Sequence, residues 1–132
     1  MEYKVVDNFL DEIEFGYIKQ VLYSDDFPWY YSKSVSMDDS DDGTYFQHKL
    51  YIAFKQSNYF SIVGPIMDKL GVKGLHRCKA NLYPRTPEIY HHGKHVDYDF
   101  KHKGFIYYVN TNNGLTVLND GTEIKSVENR GL

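Results

Sequence analysis

The second half of the chain is cut into short pieces, and this limits what it can fold into. From Leu75 to Leu132, clusters of turn-forming residues recur at close intervals: Pro84-Arg85-Thr86-Pro87, Thr111-Asn112-Asn113-Gly114 and Asn119-Asp120-Gly121. Proline removes a backbone donor, glycine admits positive φ, and Asn and Asp bond their own backbone, so each cluster interrupts regular structure. The stretches between them are too short for stable helices and rich in Tyr, Ile and Val. They predict strands over 76–83, 88–97, 104–110, 115–118 and 122–127, the last two as a hairpin. Closely spaced short strands suit a barrel or sandwich.

The first half reads differently. Residues 2–9 predict a short strand, followed by a helix that starts in a capping box, with Asp11 as N-cap and Glu14 reaching back. Ile13, Tyr17, Ile18, Val21 and Leu22 recur at helical spacing and predict its buried stripe. Ser24-Asp25-Asp26 and Pro28 end it. Residues 29–35 read as extended and 44–54 as a long strand. Ser57 caps a predicted second helix to Leu70, with Phe60, Val63, Met67 and Leu70 inward. Pro65 inside it predicts a kink or a split into two short turns, and Gly71-x-x-Gly74 stops it. The fold class is therefore α+β in a single domain, 1–132, with strands and supporting helices in 1–74 and core strands in 75–132.

Composition excludes several function classes. No apolar run approaches the roughly 18 residues of a membrane span, and the first residues lack a secretory signal pattern. A lone cysteine, Cys78, excludes an internal disulfide and a Cys-pair zinc motif. These features fit a cytoplasmic protein. The net charge of −3 supplies no field to gather nucleic acid or acidic lipid. The 13 tyrosines are thus better read as strand-face residues than as a stacking platform for bases. The acidic run Asp38-Asp39-Ser40-Asp41-Asp42-Gly43 lacks the alternating spacing and the distal glutamate of a calcium loop and reads as a solvated loop. Cys78 reads as a structural thiol, because nothing around it marks a catalytic thiolate.

The stretch with most chemistry is Tyr90-His91-His92-Gly93-Lys94-His95-Val96-Asp97. On a strand, His95 and Asp97 project to one face, and an imidazole with a carboxylate supplies two ligands of a 2-His-1-carboxylate iron site. Three same-face residues of one strand, His91, His95 and Asp97, would lie in a line with neighbours about 6 to 7 Å apart. That spacing is too wide for one first-row metal to bridge the outer pair. A third ligand has to come from elsewhere, and His91, His92 and His102 read as surface residues.

Around that pair the sequence resembles the Fe(II)/2-oxoglutarate-dependent dioxygenases, in particular their prolyl-hydroxylase-like branch. The matching text is Lys79-Ala80-Asn81-Leu82-Tyr83-Pro84, then His95-Val96-Asp97, then Phe105-Ile106-Tyr107-Tyr108-Val109-Asn110, followed by Gly114-Leu115-Thr116 and Asn129-Arg130. The resemblance implies a double-stranded β-helix (a jelly roll, as in cupins) with helices against one sheet. It implies His95 and Asp97 as iron ligands, Tyr83 and Tyr108 beside the 2-oxoglutarate cosubstrate, and Thr116 lining the same pocket. The activity implied is hydroxylation of a protein or small-molecule C–H bond, coupled to oxidative decarboxylation of 2-oxoglutarate.

The family's second iron-binding histidine, and its basic residue for the distal cosubstrate carboxylate, lie beyond the segment that matches Asn129-Arg130. The expectation is therefore a C-terminally truncated oxygenase, lacking its last strands, with weak iron affinity and an exposed edge that favours a homodimer or strand-exchanged assembly. The competing expectations are a non-catalytic jelly-roll binding module, and a cupin-like metal protein that recruits His48, His76 or His91.

Overall fold

The computed structural model describes residues 2–33 and 43–132. The predicted acidic loop at 37–43 lies, but for Gly43, outside the described residues. The chain is a mixed α and β structure with small antiparallel sheets. Its contacts gather into two units that do not follow chain order: Met1–Gln20 with Phe100–Leu132, and Val21–Asp99.

In the unit that holds both chain ends, helix α1 (Glu12–Leu22) is capped by Asp11, as predicted, with the Glu14 N–H donating to Asp11 Oδ1 at 2.7 Å. The buried stripe is rotated from the predicted one. Ile13 and Tyr17 are exposed, whereas Ile18 is buried and Phe15 packs edge-on against Tyr107. The apolar side chains at 15 and 18 are three apart and share the face that meets the aromatic cluster, so they outcompete Ile13 and Tyr17.

The predicted strand over 2–9 is reduced to a single bridge between Val6 and Gly131, because the backbone turns at Asn8, whose φ is +49°. The strand predicted over 104–110 contracts to β5 (Tyr107–Tyr108). Its partner is a strand that sequence reading missed, β8 (Arg130–Gly131), with Tyr107 opposite Gly131 and Tyr108 opposite Arg130. Val6 bonds Gly131 from the other side, so Gly131 sits in the middle of three chain segments. A Cβ there would come within 2.8 Å of the Phe105 ring and 3.1 Å of Phe9, so the sheet closes at this point only around glycine. The predicted hairpin is present as β6 (Leu115–Val117) and β7 (Glu123–Lys125), joined through Gly121 at φ +87°.

In the unit Val21–Asp99, β2 (Tyr45–Ile52) is the organising strand. It pairs antiparallel with β1 (Tyr30–Ser32), β3 (Lys55–Gln56) and β4 (Arg77–Leu82), with a bulge between Lys49 and Tyr51 in the β4 ladder. The long strand predicted to Phe54 stops at Ile52, where Ala53 and Phe54, both at positive φ, reverse the chain into β3. The second helix is split at Gly64-Pro65 into a 3-10 turn (Phe60–Val63) and α2 (Gly64–Leu70). Its inner face is carried by Ile62, Val63 and Ile66; Leu70 is exposed. Gly71, left-handed at φ +63°, closes α2 with its own N–H on Asp68 and the Val72 N–H on Met67, the bonding of a Schellman cap.

The strand predicted within 88–97 does not form. Every residue from 81 to 97 except His92 is exposed, so the segment has no apolar face whose burial would hold it in a ladder. Among the described residues no helix is long and apolar enough to cross a membrane.

Candidate functional site

His95 and Asp97 therefore do not meet by strand parity; the irregular segment itself brings them together. His95 Nδ1 lies 3.1 Å from the Gly93 carbonyl. A carbonyl only accepts, so Nδ1 carries a proton, and in the neutral ring Nε2 is the nitrogen that keeps its lone pair. This is the tautomer a metal ligand needs. Nε2 faces Asp97 Oδ1 at 3.9 Å, with both side chains open to solvent. Two donors held at about 2.0–2.2 Å on adjacent metal positions stand roughly 3 Å apart, so the pair would draw inward by about an ångström around an ion.

Asp97 is tied to the sheet by a residue that sequence reading left without a role. Arg77, the first residue of β4, reaches Asp97 Oδ1 with Nη2 at 3.0 Å. Its guanidinium lies 5.2 Å from the Tyr98 ring centre, and Tyr98 meets His76 edge-on at 4.3 Å. A strand-borne cation thus holds a segment that joins no ladder.

Of the histidines considered as third ligands, His48 is occupied, and His76 packs edge-on against Tyr98. His48 is buried, with Nδ1 donating to the Pro28 carbonyl and Nε2 accepting from Ser57 Oγ, each at 2.8 Å. The Tyr59 N–H in turn donates to Ser57 Oγ. Both His48 nitrogens are committed, so it serves the core. His91 is exposed, His92 packs against Tyr83 and Tyr90, and His102 bonds the Phe100 carbonyl. Among the described residues no group of three His, Cys, Asp or Glu side chains could hold a metal ion. The residues fit two of the three protein positions of an iron site and not the third.

The residues matched to the cosubstrate fall in both units. Tyr83 stacks on Tyr45 at 5.3 Å, with its hydroxyl accepting from Asn81 Nδ2. In the other unit, β5 and β6 bring Tyr108 and Thr116 together, with their hydroxyl oxygens 2.6 Å apart. Burial pushes the Tyr108 hydroxyl above its ordinary range, a shift partly opposed by its bond to Thr116. It therefore stays protonated and able to donate at neutral pH. Arg130, opposite Tyr108 on β8, is held by a two-pronged pair to Asp7 at 2.6 and 3.2 Å, which keeps the Asp7 carboxyl below the usual carboxylate range. Burial pushes the Cys78 thiol up to about 11, which suits a packing residue and not a nucleophile.

Sequence reading missed Asn129, which is buried at φ +61°. Its Oδ1 accepts from the Leu10 N–H at 3.0 Å and from the Tyr107 hydroxyl at 2.6 Å, and its Nδ2 donates to the Leu10 carbonyl at 2.8 Å. The only signal in the sequence was its place in the Asn129-Arg130 match, which says nothing of this role. No family model, curated protein or solved structure matches the chain.

Proposed function

We propose that the chain is a domain of the Fe(II)/2-oxoglutarate-dependent oxygenase type, prolyl-hydroxylase-like, on a double-stranded β-helix, acting on a protein or small-molecule substrate. The observation that carries the reading is the convergence of His95 Nε2, in its metal-binding tautomer, on Asp97 Oδ1 at 3.9 Å. The 2.6 Å contact of Tyr108 with Thr116, two of the three residues matched to the cosubstrate pocket, supports it. Iron with 2-oxoglutarate and dioxygen would supply an oxidant for C–H hydroxylation. The chain's part is to offer two ligands, to hold Asp97 through Arg77, and to keep the Tyr108 hydroxyl protonated as a donor. The reading requires a third protein donor that the described residues do not bring to the pair.

Titration with Co(II) or Mn(II), followed by absorbance or paramagnetic broadening, tests it. His95→Ala and Asp97→Ala are each expected to weaken binding at least about tenfold, the usual scale for loss of a ligand or its support. Equal binding by both variants would remove the basis of the proposal. Consumption of 2-oxoglutarate in the presence of iron then separates an active site from a binding one.

A second reading, a non-catalytic binding module, is favoured by the 3.0 Å pairing of Asp97 with Arg77, which already gives the carboxylate a partner without any metal. Metal titration of Arg77→Ala separates the two. If the ion pair is the end state of Asp97, removing Arg77 leaves metal affinity negligible.

A further inference from the structure

We infer that the β2–β3 turn, with Phe54 at its tip, docks on a membrane surface that carries anionic lipid. Ile52 pairs with Lys55, so Ala53 and Phe54 alone form the loop between the strands, at φ +51° and +63°. Positive φ at both positions is the type I′ pattern, which asparagine and glycine fill at least cost. Alanine and phenylalanine are strained there. The strained turn sets a large apolar ring in water: Phe54 is 93 % exposed, the most exposed large hydrophobic side chain among the described residues. At that exposure the ring returns almost nothing to packing, so the turn points to something outside the chain.

Charge identifies the partner. The net charge of −3 is unevenly spread, because residues 43–87 hold seven of the 15 Lys and Arg but one of the 18 Asp and Glu. Lys55 follows Phe54 directly. Tyr51, Ala53, Phe54, Leu75 and His76 line one small cleft, which sets the turn beside the exposed stretch Gly71-Val72-Lys73-Gly74 that leads into Leu75. Neither Lys55 nor Lys73 forms an ion pair among the described residues.

An aromatic ring at a hairpin tip with lysines beside it suits a bilayer interface, which takes aromatic rings at headgroup level and attracts lysines when its lipid is anionic. A protein partner suits it less. A stable protein interface covers about 800 Å² on each side, and one ring on a two-residue turn supplies a small part of that. Single-stranded nucleic acid calls for a groove with several stacking rings, and this turn carries a single exposed one. Phe54, Lys55 and Lys73 have no part in the oxygenase reading, and the inference does not depend on it.

Flotation of the whole chain with vesicles of phosphatidylcholine, and of phosphatidylcholine mixed with phosphatidylserine, tests the site. Reversible binding to the mixed vesicles is expected, weakening as salt rises, with none to the neutral ones. Ala53→Asn combined with Phe54→Gly gives the turn its relaxed residues. That variant should bind about tenfold more weakly or worse, while its unfolding midpoint rises. Phe54→Trp should stay within about threefold of the parent. Lys55→Gln and Lys73→Gln should each weaken binding about fivefold. Unchanged binding by the Asn-Gly variant overturns the inference, and so does equal binding to neutral vesicles or binding to neither. A complex with a single-stranded oligonucleotide as tight as that with the mixed vesicles overturns it too. Metal titration of all these variants should match the parent, so this inference and the iron reading fail separately.

Discussion

Asn129 and the His95–Asp97 pair are both polar constellations in a small chain, and they are built in opposite ways. Asn129 is buried, and its side-chain amide meets three partners, two on Leu10 and one on Tyr107. His95 and Asp97 are open to solvent, 3.9 Å apart, on a segment without a ladder. A buried polar group has to be satisfied from within the protein, so its partners are structural. An exposed imidazole and carboxylate can be satisfied by water, so what the protein has fixed about them is their mutual placement. The first kind holds the fold together; the second is available for a ligand.

The sharpest test of that division is Asn129→Ala. It leaves the Leu10 N–H, the Leu10 carbonyl and the Tyr107 hydroxyl without their partner, and places alanine at φ +61°. At about 1–3 kcal/mol for each buried group left unsatisfied, and about 1–2 kcal/mol for the left-handed backbone, a loss of roughly 3 kcal/mol or more is expected in urea unfolding. A loss under about 1 kcal/mol would mean that water replaces the amide, and the contrast would fail at its stronger end.

His48→Ala comes next and sets one histidine against another. It opens a buried space and strips Ser57 and the Pro28 carbonyl of their partner, for an expected loss of about 2–3 kcal/mol. Metal titration of this variant should match the parent, because both ring nitrogens are already engaged.

Alkaline pH probes burial without mutation. The Cys78 thiol at about 11 and the Tyr107 hydroxyl, raised by burial and by the nearby Glu14 carboxylate, both stay neutral in the folded chain after they would ionise in the unfolded one. The unfolded state then binds fewer protons, so stability is full below the ordinary thiol range and falls as pH rises through it. Alkylation of Cys78 at pH 8 should be at least about a hundredfold slower in the folded chain than in urea, the factor set by a two-unit rise. Comparable rates would place Cys78 in an opening segment.

How much of this was legible in the sequence follows from range. The Asp11 cap, the Asn119-Asp120-Gly121 hairpin and the break at Gly64-Pro65 depend on neighbours a few residues away, and each was readable. Strand β8 depends on β5 across the intervening hairpin and on a bridge to Val6 at the other end of the chain, and Asn129 on Tyr107 and the distant Leu10, which no local pattern encodes. The strand expected around His95 failed for another reason. The β-type spacing of His95 and Asp97 was present, but the segment has no apolar alternation to anchor it. The Ala53-Phe54 turn lacks the asparagine or glycine that marks a two-residue loop, so it reads as strand.

The smallest effects belong to the exposed pair. His95→Ala should change stability by less than about 0.5 kcal/mol, as surface substitutions do. Arg77→Ala should cost little more, because its ion pair reaches a half-exposed carboxylate and solvent screens such pairs to about 0–1 kcal/mol. The double variant Arg77→Ala, Asp97→Ala isolates the coupling, expected below about 1 kcal/mol by urea unfolding. A coupling of 2 kcal/mol or more would make the Arg77–Asp97 pair a structural strut and put it with Asn129. A small coupling, beside a full loss of metal affinity in Asp97→Ala, would show that the fold gives up almost nothing when this carboxylate is removed, and so does not need it for stability.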